Sequence, residues 1–233
     1  MPPPLGSDTV TDSGLVSATS DARREQAECF LGMLKNLYPN VSTDLEYDNP
    51  WELLVATALS AQTTDSTVNK VTKILFEKYS TPEELAASQI DDVEQIIFST
   101  GFYRQKARSI IELSADLVER FDGEVPITIE ELVTLRGVGR KTASVVLGEA
   151  FKVPSIAVDT HVKRVSRRLG LTANNDPVKI EFDLKALYTE NEWAGIAMRF
   201  IRFGRDVCEA KKPRCEICEM AERCPWFLRT NVL

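Results

Sequence analysis

Apolar residues in this chain recur at three- and four-residue intervals along most of its length, which predicts an all-α protein. Two further observations agree. Short polar punctuations carrying Asp, Asn, Thr or Gly, several with an adjacent proline, open and close the apolar runs. Clear strand-like alternation is absent. The nearest case, Val-Pro-Ser-Ile-Ala-Val at 153–158, is short and has a proline near its start. No repeat of solenoid period is visible.

The elements follow in order. The opening MPPPLGSDTVTDSGLVSATS is rich in Pro, Gly, Ser and Thr and is expected to be a disordered tail over residues 1–20. It has no basic segment and no long apolar core, so it is not read as a secretory signal. An amphipathic pattern with Phe30, Leu31 and Leu34 follows, and Cys29 is expected to be an ordinary core cysteine on it. Asp48-Asn49-Pro50 opens a run with Trp51, Leu54, Val55 and Ala58, with proline suited to the first turn. Asp65 is expected to cap a helix carrying Val68, Val71, Ile74 and Leu75. Thr81-Pro82-Glu83-Glu84 reads as a third start. Gly101 precedes a long pattern through Ile110, Ile111, Leu113 and Leu117 that ends near Asp122-Gly123. Thr128 and Glu131 have capping-box spacing ahead of Leu132 and Leu135. A Gly137-Val138-Gly139 turn and another helix come next, and further runs cover about 159–170, 176–188 and 190–204.

The 233 residues, 43% hydrophobic and 27% charged, suit one large domain or two small ones in an ordinary soluble protein. No apolar run approaches the ~18 residues of a membrane span. A cytoplasmic protein without a membrane partner is expected. The net charge of −7 argues against a polyanion partner, but its distribution argues the other way. Residues 25–98 carry 13 acidic against 4 basic side chains, whereas residues 136–168 carry 8 basic against 2 acidic, and 199–233 carry 8 against 5. An acidic body with two basic zones results, and local potential is what attracts a polyanion. A pair of solvated helix faces would give the same counts.

Three constellations carry chemistry. In Leu-x-Gly-Val-Gly-Arg-Lys-Thr-Ala at 135–143, Gly137 and Gly139 let a ligand approach the backbone, and the following helix offers unpaired N–H groups. With Arg136, Arg140 and Lys141 beside them, this is a phosphate-binding arrangement rather than a plain turn. Lys141 sits where a helix N-terminus and neighbouring cations penalise an ammonium charge. A neutral amine is a nucleophile that forms a Schiff base with a carbonyl carbon. Asp159, 18 residues on, follows the apolar Ile156-Ala157-Val158. A carboxylate there could accept a proton or stabilise a cationic transition state, or simply cap the next helix. The only histidine, His161, reads as structural or capping.

Third, four of five cysteines fall within 17 residues, as Cys208-x6-Cys215-x2-Cys218-x5-Cys224. Four thiolates at such spacing hold a tetrahedral zinc or a [4Fe–4S] cluster. One compact run, rather than two separated pairs, favours iron–sulfur. A centre pinning both ends of the 209–214 loop would present Lys211, Lys212 and Arg214 rigidly to a phosphate backbone, a structural role without redox chemistry. Phe102, at a loop, is a candidate wedge between bases, although such a residue is more often core.

Together these motifs resemble the endonuclease III family of bacterial DNA glycosylase/AP lyases, over nearly everything after about residue 22. The 135–143 segment is similar to that family's helix–hairpin–helix, here about 128–151. Val158-Asp159-Thr160-His161 resembles its catalytic aspartate segment, and the cysteine spacing its [4Fe–4S] loop. Ser-Ala-Gln-x-Thr-Asp at 60–65 is similar too. The resemblance implies two helical lobes, a six-helix domain at 43–153 and a discontinuous iron–sulfur domain from 21–42 and 154–233. DNA would lie across the cleft between them. It implies Lys141 as nucleophile and Asp159 as its carboxylate. Gln62 would fill the gap left by a flipped nucleotide, and Phe102 would wedge beside the estranged base. The implied partner is double-stranded DNA containing damaged pyrimidines or abasic sites, bound by a monomer at the nucleoid. Two positions depart from the family pattern. Arg136 stands where proline is usual, which loosens the hairpin but adds a phosphate contact, and Phe102 stands where leucine is common. The alternatives are a monofunctional adenine-mismatch glycosylase of the same superfamily and a non-catalytic zinc-bearing DNA-binding module. The former usually lacks the lysine and carries a further C-terminal domain, whereas this chain has Lys141 and stops nine residues after Cys224.

Overall fold

A computed structural model describes residues 20–230, and among them there is no strand. The expected tail over 1–20 lies outside the described residues apart from Ser20, which opens the first helix. The order is α1 Ser20–Leu37, α2 Pro50–Leu59, α3 Asp65–Lys78, α4 Pro82–Ala86, α5 Ile90–Ile96, α6 Tyr103–Phe121, α7 Ile129–Leu132, α8 Arg140–Glu149, α9 Thr160–Arg168, α10 Pro177–Leu187, α11 Glu190–Asp206 and α12 Pro225–Thr230. Short 3-10 turns occupy Phe98–Thr100, Cys215–Ile217 and Ala221–Arg223.

The starts follow from side-chain caps. Asn49 accepts from the Glu52 N–H ahead of Pro50, and Thr81, Thr128 and Asp176 cap α4, α7 and α10 in the same way. At α3 the cap is Thr64, not Asp65. The threonine hydroxyl accepts from the Thr67 N–H, and Asp65 becomes the first helical residue, where its charge still suits the dipole. Helix α6 runs to Phe121 and ends on a left-handed Asp122 (φ 51°), with the Gly123 N–H returning to the Leu117 carbonyl. Segment 153–158 forms neither helix nor strand. Helices α5 and α12 were not anticipated, being too short to show a period.

Two apolar clusters organise the helices. The first draws on the contiguous stretch from Leu45 to Leu147, with Leu53, Leu54, Leu59, Ile110, Leu113 and Leu117 fully buried. Trp51 Nε1 donates to Ser114 Oγ inside it at 3.1 Å. The second joins Ala27–Leu34 of α1 to residues between Ile156 and Cys224. Phe30 meets Phe200 and Phe203 edge-on at 5.0 and 5.1 Å. The phase of α1 sends Ala27, Phe30, Leu31 and Leu34 inward. Cys29 falls outside that stripe and is exposed, so it is not the core cysteine the sequence suggested.

Candidate functional site

The hairpin between α7 and α8 is held from outside. The Arg136 N–H donates to Asp116 Oδ2 at 3.0 Å, and its guanidinium pairs with Glu112 at 2.9 Å. Arg136 therefore braces the turn against α6 where a looser hairpin was expected. Gly137 is left-handed (φ 75°), which favours glycine, and a Cβ there would crowd the Ser109 Cβ at 3.3 Å. Val138 plugs the first cluster. Gly139 precedes α8 with no side-chain cap, and a Cβ on it would meet nothing within 4 Å. The first N–H groups of α8 are thus open to an approaching anion.

The two cations at the start of α8 differ sharply. Arg140 grips Glu181 of α10 through both nitrogens, Nε to Oε2 at 2.7 Å and Nη2 to Oε1 at 3.1 Å. Glu181 is 2% exposed and also pairs with Lys185 at 2.7 Å. Burial pushes the Glu181 carboxyl up, but Arg140 and Lys185 outweigh it and hold it below the usual glutamate range. The sequence offered Arg140 as a phosphate contact; the structure sets its guanidinium on Glu181. Lys141, next to it, is exposed and has no partner among the described residues.

Asp159 caps α9. Its Oδ1 accepts from the His161 and Val162 N–H groups, each at 2.8 Å, and Oδ2 has no partner among the described residues. Ser155 Oγ donates to the Ser144 carbonyl of α8 at 2.6 Å, and the Val153 N–H to the Leu147 carbonyl at 2.9 Å. These bonds lay the segment leading to Asp159 along the helix that carries Lys141 in its first turn. Val145 of α8 packs on the second cluster, so α8 touches both cores. His161 is half-buried, with Nδ1 3.0 Å from Arg164 Nη2; burial holds its imidazole below the usual range. That is the structural histidine expected.

Gln62, Phe102 and Gly137 line one cleft of about 320 Å³, together with Lys106, Gln105 and Ser109. Lys141 and Asp159 are not on its lining. Gln62 (φ 55°) and Phe102 (φ 48°) are both left-handed, a conformation that costs a non-glycine residue about 1–2 kcal/mol. Phe102 is also 68% exposed, against the ordinary fate of a phenylalanine. A strained backbone carrying an exposed aromatic is what an inserting group requires.

The four C-terminal cysteines line a single apolar pocket with Arg168, Trp226 and Phe227. Burial pushes the Cys218 thiol up to about 11, with the Met220 N–H pulling it back, and burial likewise raises Cys215 and Cys224. Mutual repulsion among these sulfurs contributes to each rise. Four thiols lining one apolar pocket, three of which resist ionising, fit a cationic iron–sulfur centre, whose positive charge would offset that repulsion. Arg168 braces the loop, donating to the Glu209 carbonyl at 2.7 Å and the Ala210 carbonyl at 2.9 Å. Lys211 and Lys212 are exposed and in no ion pair among the described residues, while Arg214 reaches back to the Asp206 carbonyl at 3.2 Å.

Sequence reasoning passed over Lys106, Glu181 and Arg168. Lys106 had a legible signal, because with Ile110, Leu113 and Leu117 it shares the buried phase of α6. Glu181 and Arg168 had little, since Arg140 lies 41 residues from Glu181 and Glu209 lies 41 from Arg168.

The comparisons with known proteins agree with this geometry. Residues 55–190 match the model of the HhH-GPD superfamily base excision DNA repair protein. The endonuclease III of Synechocystis sp. is 48% identical over 205 residues, 88% of this chain and 94% of that protein. That of Bacillus subtilis is 46% identical over 201 residues, 86% and 92% of the two. A solved trapped endonuclease III–DNA covalent intermediate, an estranged-adenine complex, superposes with a TM-score of 0.85 at 44% identity, covering 89% of this chain and 98% of that one. A lysine and an aspartate at the starts of adjoining helices, a glycine hairpin and a four-cysteine loop thus occur in a chain that belongs to the endonuclease III family of the HhH-GPD superfamily.

Proposed function

We propose that this chain is a bifunctional base-excision DNA glycosylase and AP lyase that removes oxidised pyrimidines from duplex DNA. The observation that carries the site assignment is the contrast at the start of α8. Of two adjacent cations, Arg140 is bound to a buried carboxylate and Lys141 is free. Pinning Arg140 fixes the helix start, so the Lys141 amine is presented without a competing partner. The two apolar clusters support reading residues 43–153 as one lobe and 21–42 with 154–233 as the other. DNA repair places the protein at the nucleoid, and no helix among the described residues is long and apolar enough to cross a membrane.

The damaged nucleotide leaves the stack because its glycosidic carbon is unreachable inside it. Gln62 fills the vacated space and Phe102 wedges beside the estranged partner. Gly137, Val138, Gly139 and the open N–H groups of α8 hold a backbone phosphate. Lys141 Nζ attacks C1′ and the base departs. The Asp159 carboxylate stabilises positive charge developing on the sugar and accepts the lysine proton. Opening of the sugar ring leaves an imine between Lys141 and C1′. That imine acidifies C2′, loss of its proton expels the 3′ phosphate, and the strand is cut on that side. Cys208, Cys215, Cys218 and Cys224 would hold the [4Fe–4S] cluster, which supplies a rigid closure for the loop carrying Lys211, Lys212 and Arg214.

Borohydride trapping on duplex DNA carrying thymine glycol tests the reading. Wild type gives a covalent protein–DNA adduct. Lys141→Gln binds the duplex but gives none, and Asp159→Asn loses most turnover. Undiminished strand cleavage by Lys141→Gln would sink the assignment.

A further inference from the structure

We propose that Lys106 is the positioning residue that locks the Gln62 and Phe102 turns into one preformed inserting unit. The proposal rests on the inserting roles given to those two residues above. Lys106 lies on the first turn of α6 and is 8% exposed. Its Nζ donates to the Leu59 carbonyl at 2.9 Å, to Thr63 Oγ1 at 2.8 Å and to the Thr100 carbonyl at 2.8 Å. An ammonium has three N–H groups, so all three are used. No carboxylate pairs with it among the described residues. A buried charge without a counter-ion is expensive, and burial lowers the Lys106 pKa as expected.

The acceptors show what the charge achieves. Leu59 ends α2 and leads into the turn that carries Gln62. Thr100 ends the Phe98–Thr100 turn and leads through Gly101 to Phe102. Both carbonyls are at helix ends, where intrahelical donors run out. Thr63, next to Gln62, closes the knot, because its hydroxyl donates to that same Thr100 carbonyl. The Lys106 N–H also makes the first intrahelical bond of α6, to the Phe102 carbonyl at 3.1 Å, so Phe102 and Lys106 share one helical turn. One side chain therefore ties together two turns separated by some forty residues of chain. Both turns carry a left-handed non-glycine residue, Gln62 and Phe102, and both of these line the cleft with Lys106. Strained, exposed turns hold their shape only where the surroundings over-determine it. The ammonium supplies that constraint, because a single tetrahedral donor reaches acceptors from two directions. An apolar side chain of equal length would fill the space and leave both carbonyls without a donor.

A single-stranded abasic site has no stack to enter and no estranged base, so its cleavage needs Lys141 but not the inserting unit. The test compares kcat/KM on duplex and single-stranded abasic DNA for Lys106→Met and for Thr63→Val, which loosens the knot without removing the buried charge. The expected result for each is a fall of at least tenfold on duplex DNA. Borohydride trapping on the single strand should stay within about twofold of wild type. Lys106→Arg, which keeps charge and donors, should recover part of the duplex activity. Should Lys106→Met fail to fold, Thr63→Val decides. Equal loss on both substrates, or none on either, overturns the lock. Gln62→Ala with Phe102→Ala separates the two levels. Unchanged duplex cleavage by that pair overturns the inserting roles themselves, whereas a duplex defect there without one in Lys106→Met or Thr63→Val overturns only the part given to Lys106.

Discussion

The two apolar cores of this protein are held in different ways. The first comes from one unbroken stretch of chain and closes on side-chain packing, with Leu53, Leu54, Ile110 and Leu113 inaccessible to solvent. The second takes pieces more than a hundred residues apart and stitches them with arginines. Arg164 donates to the Gly204 and Cys208 carbonyls, Arg168 to those of Glu209 and Ala210, and Arg199 to those of Tyr38 and Pro39. It also ends in a loop where four thiols line one pocket. A core of local contacts needs little besides hydrophobic burial. A core assembled from distant segments has more loop entropy to overcome and uses directional bonds to do so. The second core should therefore depend more than the first on single polar groups, and on the metal centre proposed for its cysteine loop.

Removal of the metal should break this comparison furthest. Cys218→Ala, or chelation of wild type, should abolish iron binding and the brown colour and expose the 208–224 loop to proteolysis. Duplex affinity should fall at least tenfold while the first lobe keeps its helical signal. Visible absorbance, iron analysis and limited digestion read these together. Loss of the first lobe in the same step would show that the two cores are not separable.

Glu181→Gln ranks next, because it cuts the tie between α8 and α10 of the second core. Breaking a buried pair costs roughly 3–5 kcal/mol, and the low end applies here because the Arg140 side chain is one-third exposed. Stability is measured by urea unfolding across pH. The native Glu181 carboxyl is held below its usual range, so its stabilising contribution is present above the unfolded-state value and is lost as pH falls through the folded one. The gap between variant and wild type should thus be full near neutrality and close in acid, below the ordinary glutamate range.

The smallest effect sharpens the comparison at the surface. Lys211→Gln with Lys212→Gln removes two cations that are in no ion pair among the described residues, so unfolding should be unchanged. If both touch phosphates, the slope of log affinity against log salt should become shallower by about 0.9 for each. An unchanged slope would remove both from the interface.

Much of this was legible in the chain. Local patterns specify helices, so the capping residues Asn49, Thr81 and Thr128 and the apolar phases of α2, α3 and α6 could be read directly. The hairpin glycines, Lys141, Asp159 and the cysteine run could be proposed from the chain because their chemistry is carried by local motifs. Cys29 was misread because an apolar pattern three residues wide does not fix helical phase, and Asp65 because Thr64 beside it caps equally well.

What the sequence determined alone is therefore the class of fold, most of the longer helices and the residue types proposed for the site, all set by interactions within a few residues. Tertiary structure decided the rest: that Arg140 braces Glu181 while Lys141 stays free, that Arg136 pairs with Glu112, and that Lys106 binds two distant turns. Each of those outcomes depends on which buried acceptor comes within about 3 Å of a cation. Only the packing of the helices against one another settles that.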